Sequence, residues 1–372
     1  MTSRPVVPPI TLSSTFAFDT NAELADAVQA KAPHLYSRWS NPTVAAVEEA
    51  IAQLEGAARS VLVASGMAAV HLAILAALGE SSGPLVVQNE VYGGTHELVR
   101  AVRWPSDVSV RRFALDDVLE VAAQLPAGAV LYLETPTNPL VRLVDVAAVR
   151  DACASGVRIV VDATFASPAL STPLAEGADL VLHSVTKAMA GHHDVVAGVV
   201  SGGEQLMAGV WRWRKILGPT LDPAASYRVW RGLQTLSLRV DRQSASAAEL
   251  ARRLAAHPSV VAVHHPSLPQ HPDHELLQRT HRDGLGGGVL SFELSSAARA
   301  SMVVNALDTI AVAPSLGGVH TLVTWPAGVT HANVSEDELN AAGVRPGLLR
   351  LAVGLEDPDA LWNDLDSALG EP

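Results

Sequence analysis

Cysteine occurs once in the 372 residues, at Cys153, so the chain can form neither an internal disulfide nor a thiolate metal cage. Positive charge is scarce. The 26 Lys and Arg face 38 Asp and Glu for a formal charge of -12, the reverse of the clustered basic footprint that nucleic-acid binding requires. Repeats and low-complexity segments are missing, and the opening MTSRPVVPPI has no apolar core of the kind a secretion signal carries. The expected compartment is therefore the cytoplasm. Long uncharged runs are rare as well. Val61–Gly79 approaches the length of a membrane span, but Ser65-Gly66 interrupts it after a β-branched run and ahead of small and aliphatic residues. It reads as buried strand, tight turn and buried helix, so no membrane partner is expected. Charged residues make up only 17% against 48% hydrophobic, a balance that excludes disorder and, at this length, calls for at least two cores.

What is present is an alternation. The apolar runs SVLVAS, PLVVQN, VSVRRF, AVLYLE, VRIVVDA, DLVLHS and VVAGVVSG recur between amphipathic segments through about residue 200. Strands buried on both faces read as continuous apolar runs, so the expected fold class is α/β, a large domain built on a mostly parallel sheet wrapped by helices. From Ala224 to about Ala256 follows one long helical candidate, ended by His257-Pro258. SVVAVHH, GGVLSFEL and LLRLAVG then alternate with SSAARASMVVNAL and DPDALWNDLDSAL, which suits a smaller α+β C-terminal domain. The first 40 or so residues hold Pro5, Pro8, Pro9 and Pro33 without regular periodicity and read as an extended arm. The expected division is an arm over 1–42, a large domain over 43–237 and a C-terminal domain over 238–372.

Asp162 ends VRIVVDA, and Lys187 follows 25 positions later in His183-Ser184-Val185-Thr186-Lys187. Both fall just past strand ends, where ligands sit in open α/β sheets. A partly desolvated lysine there can lose its proton and condense with an aldehyde, while a buried aspartate can keep a pyridine nitrogen protonated. Ser184 and Thr186 carry hydroxyls suited to a phosphate. In Ser65-Gly66-Met67 a strand turns into a helix whose free N–H groups and dipole favour an anion. Taken singly, these features fit surface positions or an ordinary tight turn equally well. They are joined by Tyr92 in VYGGT, which is placed to stack on an aromatic group, and by Glu134 and Asn138 in LETPTNP.

In this order the motifs resemble those of the Cys/Met-metabolism pyridoxal-phosphate enzymes, the family of cystathionine γ-synthase, cystathionine γ-lyase and methionine γ-lyase. The likeness runs through YSRWSNPT (36–43), SGMAA (65–69), VYGGT (91–95), ETPTNP (134–139), VDATFA (161–166), HSVTKAMAGH (183–192), WRGLQTL (230–236), HPSLPQHPDH (265–274), SLGGVHTL (315–322), THA (330–332) and RLAVGLEDPDAL (350–361). It implies fold type I and the cofactor pyridoxal 5'-phosphate. Lys187 would hold the cofactor's aldehyde carbon and later move protons between substrate carbons. Asp162 would pair with the ring nitrogen. Tyr92 would stack on the ring and assist the leaving group, and Ser65, Gly66, Met67, Ser184 and Thr186 would hold the phosphate. Tyr36 and Arg38 would reach that phosphate from a neighbouring subunit, which makes a homodimer the catalytic unit, with pairing into a homotetramer expected. Arg350 would clamp the substrate carboxylate with help from Asn138 and Ser315.

The resemblance also directs attention to the positions that choose a substrate. Cystathionine-handling members often carry an acid just before the tyrosine of YSR, and many γ-lyases place a Glu ahead of T-H-A. Here Leu35 and Thr324 stand at these positions. The cysteine that methionine γ-lyases often carry is Gly94. The implied activity is γ- or β-elimination on a sulfur-containing amino acid, giving an oxoacid, ammonia and a thiol, on a substrate with a neutral distal group. The alternatives are replacement on an activated homoserine and a non-catalytic cofactor-binding paralogue, the latter disfavoured by intact Lys187, Asp162, Tyr92 and Arg350. His264, His265, His271 and His274 are dense, yet Pro266, Pro269 and Pro272 leave no spacing that would aim them at one ion, so no metal site is expected. His193 reads as a solvated departure from the family's His-Ser, Trp211, Trp213 and Trp230 as packing residues, and Cys153 as a buried apolar filler.

Overall fold

The structure is a computed structural model that describes residues 5–30, 32–79, 83–104, 108–328 and 343–370. All seven apolar runs of the first half form strands. These are β1 (Arg59–Val63), β2 (Leu85–Gln88), β3 (Val110–Phe113), β4 (Val130–Glu134), β5 (Arg158–Asp162), β6 (Leu180–His183) and β7 (Gly198–Gly202), in the order β1-β7-β6-β5-β4-β2-β3. From β6 to β3 all neighbours are parallel, while β7 runs antiparallel to both β1 and β6. β1 therefore points the same way as β6, and the carboxyl ends of β1, β2, β4, β5 and β6 meet along one edge.

Helices cover both faces, which is why the central strands carry unbroken apolar sequence. α1 (Asn21–Gln29) precedes the sheet; α2 (Pro42–Glu55), α3 (Gly66–Leu78), α4 (Gly93–Ala101), α5 (Val118–Ala123), α6 (Val146–Ala152) and α7 (Glu204–Leu217) pack around it. The uncharged run becomes β1, a turn and α3, whose residues are apolar almost all round because sheet and α7 enclose them. Among the described residues no helix is long and apolar enough to cross a membrane.

The second sheet has five strands, β8 (Ala262–His264), β9 (Val289–Glu293), β10 (Ala311–Val312), β11 (Leu322–Thr324) and β12 (Leu348–Ala352), in the order β10-β11-β12-β9-β8. All pairings are antiparallel except β10 with β11. Its core is closed by helices α9 (Leu236–Ala256), α11 (Ala297–Ala306) and α12 (Pro358–Leu369), while α8 (Pro223–Leu233) packs on α2 and α10 (His274–Thr280) on the turn at 282–284. β10 and β11 were not expected from sequence, being two and three residues long beside the turn formers Pro314, Gly317 and Gly318.

Three sequence readings change. The single helix expected from Ala224 to Ala256 is two, α8 and α9, because the Gly232 carbonyl accepts from Thr235 N–H (3.2 Å) and from Arg239 Nη2 (2.7 Å) instead of continuing the α ladder. The arm is not wholly extended, since α1 forms behind Thr20, whose hydroxyl accepts from Glu23 N–H at 3.2 Å. None of the residues of α1 is buried, so that helix adds nothing to the core. Cys153 caps the end of α6 half-buried, and burial raises its thiol pKa.

Candidate active site

Strand ends converge where the two sheets meet. Around a cavity of about 350 Å³ stand Ser65, Gly66 and Met67 after β1, Tyr92 after β2, Glu134 ending β4 and Asn138 after it, Asp162 ending β5, and Ser184, Thr186 and Lys187 after β6. The second sheet contributes Ser315 and Arg350.

At one end lies the start of α3. Ser65 caps the helix, its Oγ accepting from Ala68 N–H at 3.1 Å, so the first-turn amides face the cavity with the positive end of the helix dipole. A Cβ at Gly66 would lie 2.7 Å from that of Ser184, so only glycine lets the turn close on the end of β6. Thr186 Oγ1 ties the segment after β6 to the residue that leads into β7, donating to Ala197 O (3.1 Å) and accepting from Ala197 N–H (3.0 Å).

The floor carries two buried carboxylates side by side, because Glu134 and Asp162 are register partners on β4 and β5. Asp162 Oδ1 accepts from Thr164 N–H (3.0 Å) and Thr164 Oγ1 (2.5 Å), and Oδ2 from Tyr132 OH (3.3 Å). Burial raises its pKa, opposed by the Thr164 bonds and by His183. Glu134 Oε2 accepts from Tyr92 N–H at 2.8 Å, and burial together with the Asp162 charge drives its pKa well upward. Glu134 thus anchors the backbone of Tyr92, whose ring stands 44% exposed at the mouth. A Cβ at Gly94 would lie 2.5 Å from that ring, so glycine here is a condition of the ring's position.

Lys187 Nζ donates to Ser315 Oγ at 2.8 Å, and burial, reinforced by the Arg350 charge, lowers its pKa to about 8. Ser315 holds φ at 103°, a conformation that side-chain-bearing residues rarely adopt. In this conformation its hydroxyl meets Lys187 while its carbonyl accepts from Arg350 Nη2 at 3.0 Å. Arg350 Nη1 donates to Asn138 Oδ1 at 3.0 Å. Burial lowers the Arg350 pKa to about 10, still a cation at neutral pH, and among the described residues its buried Nε has no hydrogen-bond partner. A guanidinium so held has a donor left for a carboxylate.

Tyr36, Arg38 and Thr324 do not line the cavity. Arg38 lies with its guanidinium 5.3 Å from the Tyr36 ring centroid and donates to the Lys215 carbonyl. Thr324 is buried in β11 opposite Arg350 of β12 and lines a neighbouring cavity of about 230 Å³ with Pro314 and Trp325. Leu35 is buried, and the T-H-A motif at 330–332 lies outside the described residues. The histidines go separate ways: His264 Nε2 pairs with Glu293 Oε1 (2.9 Å), His265 Nδ1 with Ser267 Oγ (2.7 Å), and His274 Nδ1 with Pro266 O (3.0 Å). Sequence reasoning missed the apolar wall of Val70, Phe165, Val196, Pro314 and Leu316. Phe165 and Leu316 lay inside the VDATFA and SLGGVHTL motifs; Val70, Val196 and Pro314 fall in none of the quoted motifs.

A family profile described as Cys/Met metabolism PLP-dependent enzyme matches residues 1–370. The L-methionine gamma-lyase of Streptomyces avermitilis is 39% identical over 370 residues, 97% of this chain and 84% of that protein. The cystathionine gamma-synthase of Mycobacterium tuberculosis is 39% identical over 368 residues, 97% of this chain and 91% of that protein. Among solved structures, cystathionine gamma synthase from Xanthomonas oryzae in complex with cystathionine superposes with a TM-score of 0.90 at 38% identity, covering 98% of this chain and 92% of that one. The cavity fits the pyridoxal phosphate this family uses: a desolvated amine for an aldehyde, a buried carboxyl for a ring nitrogen, and a helix N-terminus closed by Gly66 against Ser184 for a phosphate.

Proposed function

The chain belongs to the Cys/Met metabolism pyridoxal-phosphate-dependent enzymes, and on that premise we propose that it is a carbon–sulfur lyase. It would remove an uncharged γ substituent from a sulfur-containing amino acid and, with one water taken up, release an oxoacid, ammonia and a thiol. Bound pyridoxal phosphate supplies the electron sink that lets bonds at the substrate's carbons break. The chain's residues decide what is bound and where protons go. Arg350, steadied by Asn138 and the Ser315 carbonyl, holds the substrate carboxylate through its remaining donors. Lys187 would hold the cofactor's aldehyde carbon and, as an amine with a lowered pKa, would move protons between substrate carbons. Asp162 holds the proton on the ring nitrogen, Tyr92 covers the ring and serves the leaving group, and Ser65, Gly66, Met67, Ser184 and Thr186 bind the phosphate.

One observation carries the choice of substrate. Among the described lining residues the carboxylates are Glu134 and Asp162, both at the floor and engaged, while the remaining wall is largely apolar. A distal ammonium drawn against that wall gives up hydration with no fixed partner, costing on the order of several kcal/mol. The pure protein, incubated with methionine, homocysteine, cystathionine and O-acylhomoserines with and without added thiol, should release thiol and oxoacid fastest from the neutral γ substrates. A preference for cystathionine would overturn the reading. Replacement on an activated homoserine is the second reading. It is favoured by relatives of similar identity named cystathionine gamma-synthase and O-succinylhomoserine sulfhydrylase, and would show as thiol-dependent product without oxoacid.

Tyr36 and Arg38 belong to this proposal as phosphate ligands of a neighbouring subunit in a homodimer, with a homotetramer built from two such pairs. The arm to residue 42, the cofactor-binding unit to 237 and the C-terminal unit from 238 accompany it. Mixing Arg38→Ala and Lys187→Ala subunits should restore activity in hybrid dimers; hybrids that form and stay inactive would refute the shared site.

A further inference from the structure

Helix α9 carries two buried polar side chains one turn apart, Arg239 and Gln243, 4% and 2% exposed. Neither touches the cavity. Arg239 Nη1 donates to Ala188 O (2.7 Å), Nη2 to Met189 O (3.4 Å) and Gly232 O (2.7 Å), and Nε to Thr235 Oγ1 (3.1 Å). Every acceptor is neutral, an unusual set for a buried cation. Two of them, however, are the last carbonyls of the turn that begins at Ser184 and carries Lys187, where Lys187 N–H donates to Ser184 O (3.0 Å) and Gly191 N–H to Lys187 O (2.8 Å). The guanidinium gives these carbonyls donors at the carboxyl end of the turn. Gly191 closes the turn at φ 72°, and a Cβ there would overlap the Arg239 guanidinium.

Gln243 reaches the opposite wall. Its Nε2 donates to Gly318 O at 2.6 Å, in the loop that places Ser315 between Lys187 and Arg350. The two gripped segments touch each other, since a Cβ at Gly317 would lie 2.5 Å from Ala188 N.

We propose that Arg239 and Gln243 are positioning residues, a two-point clamp on one helix that sets the spacing between the Lys187 turn and the Ser315–Arg350 wall. The inference rests on the role given above to Lys187 and Arg350. The two points hold different partners. Arg239 fixes the turn of the amine, and Gln243 fixes the loop that orients the carboxylate-binding guanidinium.

The test uses holoenzyme variants Arg239→Met, Arg239→Lys, Gly191→Ala and Gln243→Leu. Three quantities are read: the pH titration of the bound cofactor's visible absorption, kcat and KM for the preferred amino acid, and thermal stability. Arg239→Met should move the absorption midpoint by about one unit, a differential interaction of ordinary size at Lys187. It should also lower kcat on the order of a hundredfold, as ångström-scale misplacement does. Gly191→Ala should act in the same direction through the same guanidinium, and Arg239→Lys should fall between Arg239→Met and wild type. Gln243→Leu should raise KM more than it lowers kcat. Lower thermal stability with the midpoint, kcat and KM all at wild-type values would reduce both residues to ordinary packing and overturn the clamp. Arg239→Lys and Gly191→Ala keep the test open if Arg239→Met fails to fold. Borohydride reduction of wild type with peptide mapping separates the two levels: a label away from Lys187 sinks the lysine assignment and the clamp with it, whereas a label on Lys187 with unmoved titrations sinks the clamp alone.

Discussion

The two walls of the cavity answer the same burial with different outcomes. On the wall supplied by the seven-stranded sheet, burial pushes titratable groups toward their neutral forms, with Lys187 lowered to about 8 and Asp162 and Glu134 raised. On the wall supplied by the five-stranded sheet, Arg350 is buried just as deeply yet at about 10 remains a cation, braced by Asn138 and the Ser315 carbonyl. A group whose charge is marginal can move protons, while a group whose charge is fixed can hold an anion. The molecule separates the two tasks by sheet, and Ser315, bonded to both Lys187 and Arg350, is where they join.

The comparison breaks most completely on the first wall. Lys187→Ala should lose roughly three orders of magnitude or more in turnover, because nucleophile and proton carrier vanish together. Steady-state assay of the purified variant checks it. Arg350→Ala should leave the cofactor attached at Lys187 while kcat/KM falls by roughly thirtyfold to a thousandfold, the loss of about 2–4 kcal/mol that follows from removing one partner of a buried charged pair. Retained cofactor with a raised KM is the signature of a wall whose main task is binding. The pH dependence sharpens the contrast further. Lysine reacts with an aldehyde as the neutral amine, and a pKa lowered to about 8 means protonation below that pH and deprotonation above it. Capture of pyridoxal phosphate by the apo chain should therefore accelerate with pH up to about 8 and then level off, whereas an ordinary lysine would keep gaining beyond about pH 10. The smallest effect is expected at the mouth, where Gly94→Ala displaces the Tyr92 ring and should weaken cofactor binding by roughly tenfold, the cost of about 1.4 kcal/mol in lost stacking. Titration of the apo variant with cofactor measures it.

Much of the first wall was legible because strands buried on both faces betray themselves as unbroken apolar runs, and the residue after such a run is where a parallel sheet offers a ligand site. Asp162, Lys187 and Ser65-Gly66 were all placed this way. The second wall was not legible from periodicity, since β11 is three residues long and Ser315 takes its role from a φ no pattern announces. Arg350 was identified through the resemblance of RLAVGLEDPDAL alone. The apolar lining of Val70, Val196 and Pro314 is assembled from segments far apart in the chain. Arg239 and Gln243 read as the polar side of an amphipathic helix, and only packing shows that side to be buried. Thr324 illustrates the converse. Its sequence position recommended it as a substrate contact, but it sits in β11 facing the neighbouring cavity, so a glutamate placed there would be buried beside Arg350.

The account stands on one amine. The chain has three lysines, Lys31, Lys187 and Lys215. Lys215 spreads its ammonium over the rings of Trp39 and Trp211 at 4.7 and 5.1 Å, committed to aromatic faces outside the cavity. Borohydride reduction of the holoenzyme followed by peptide mapping distinguishes the three directly. A single modified peptide containing Lys187 is the predicted result, and a label on Lys215 or Lys31 would contradict the account at its centre.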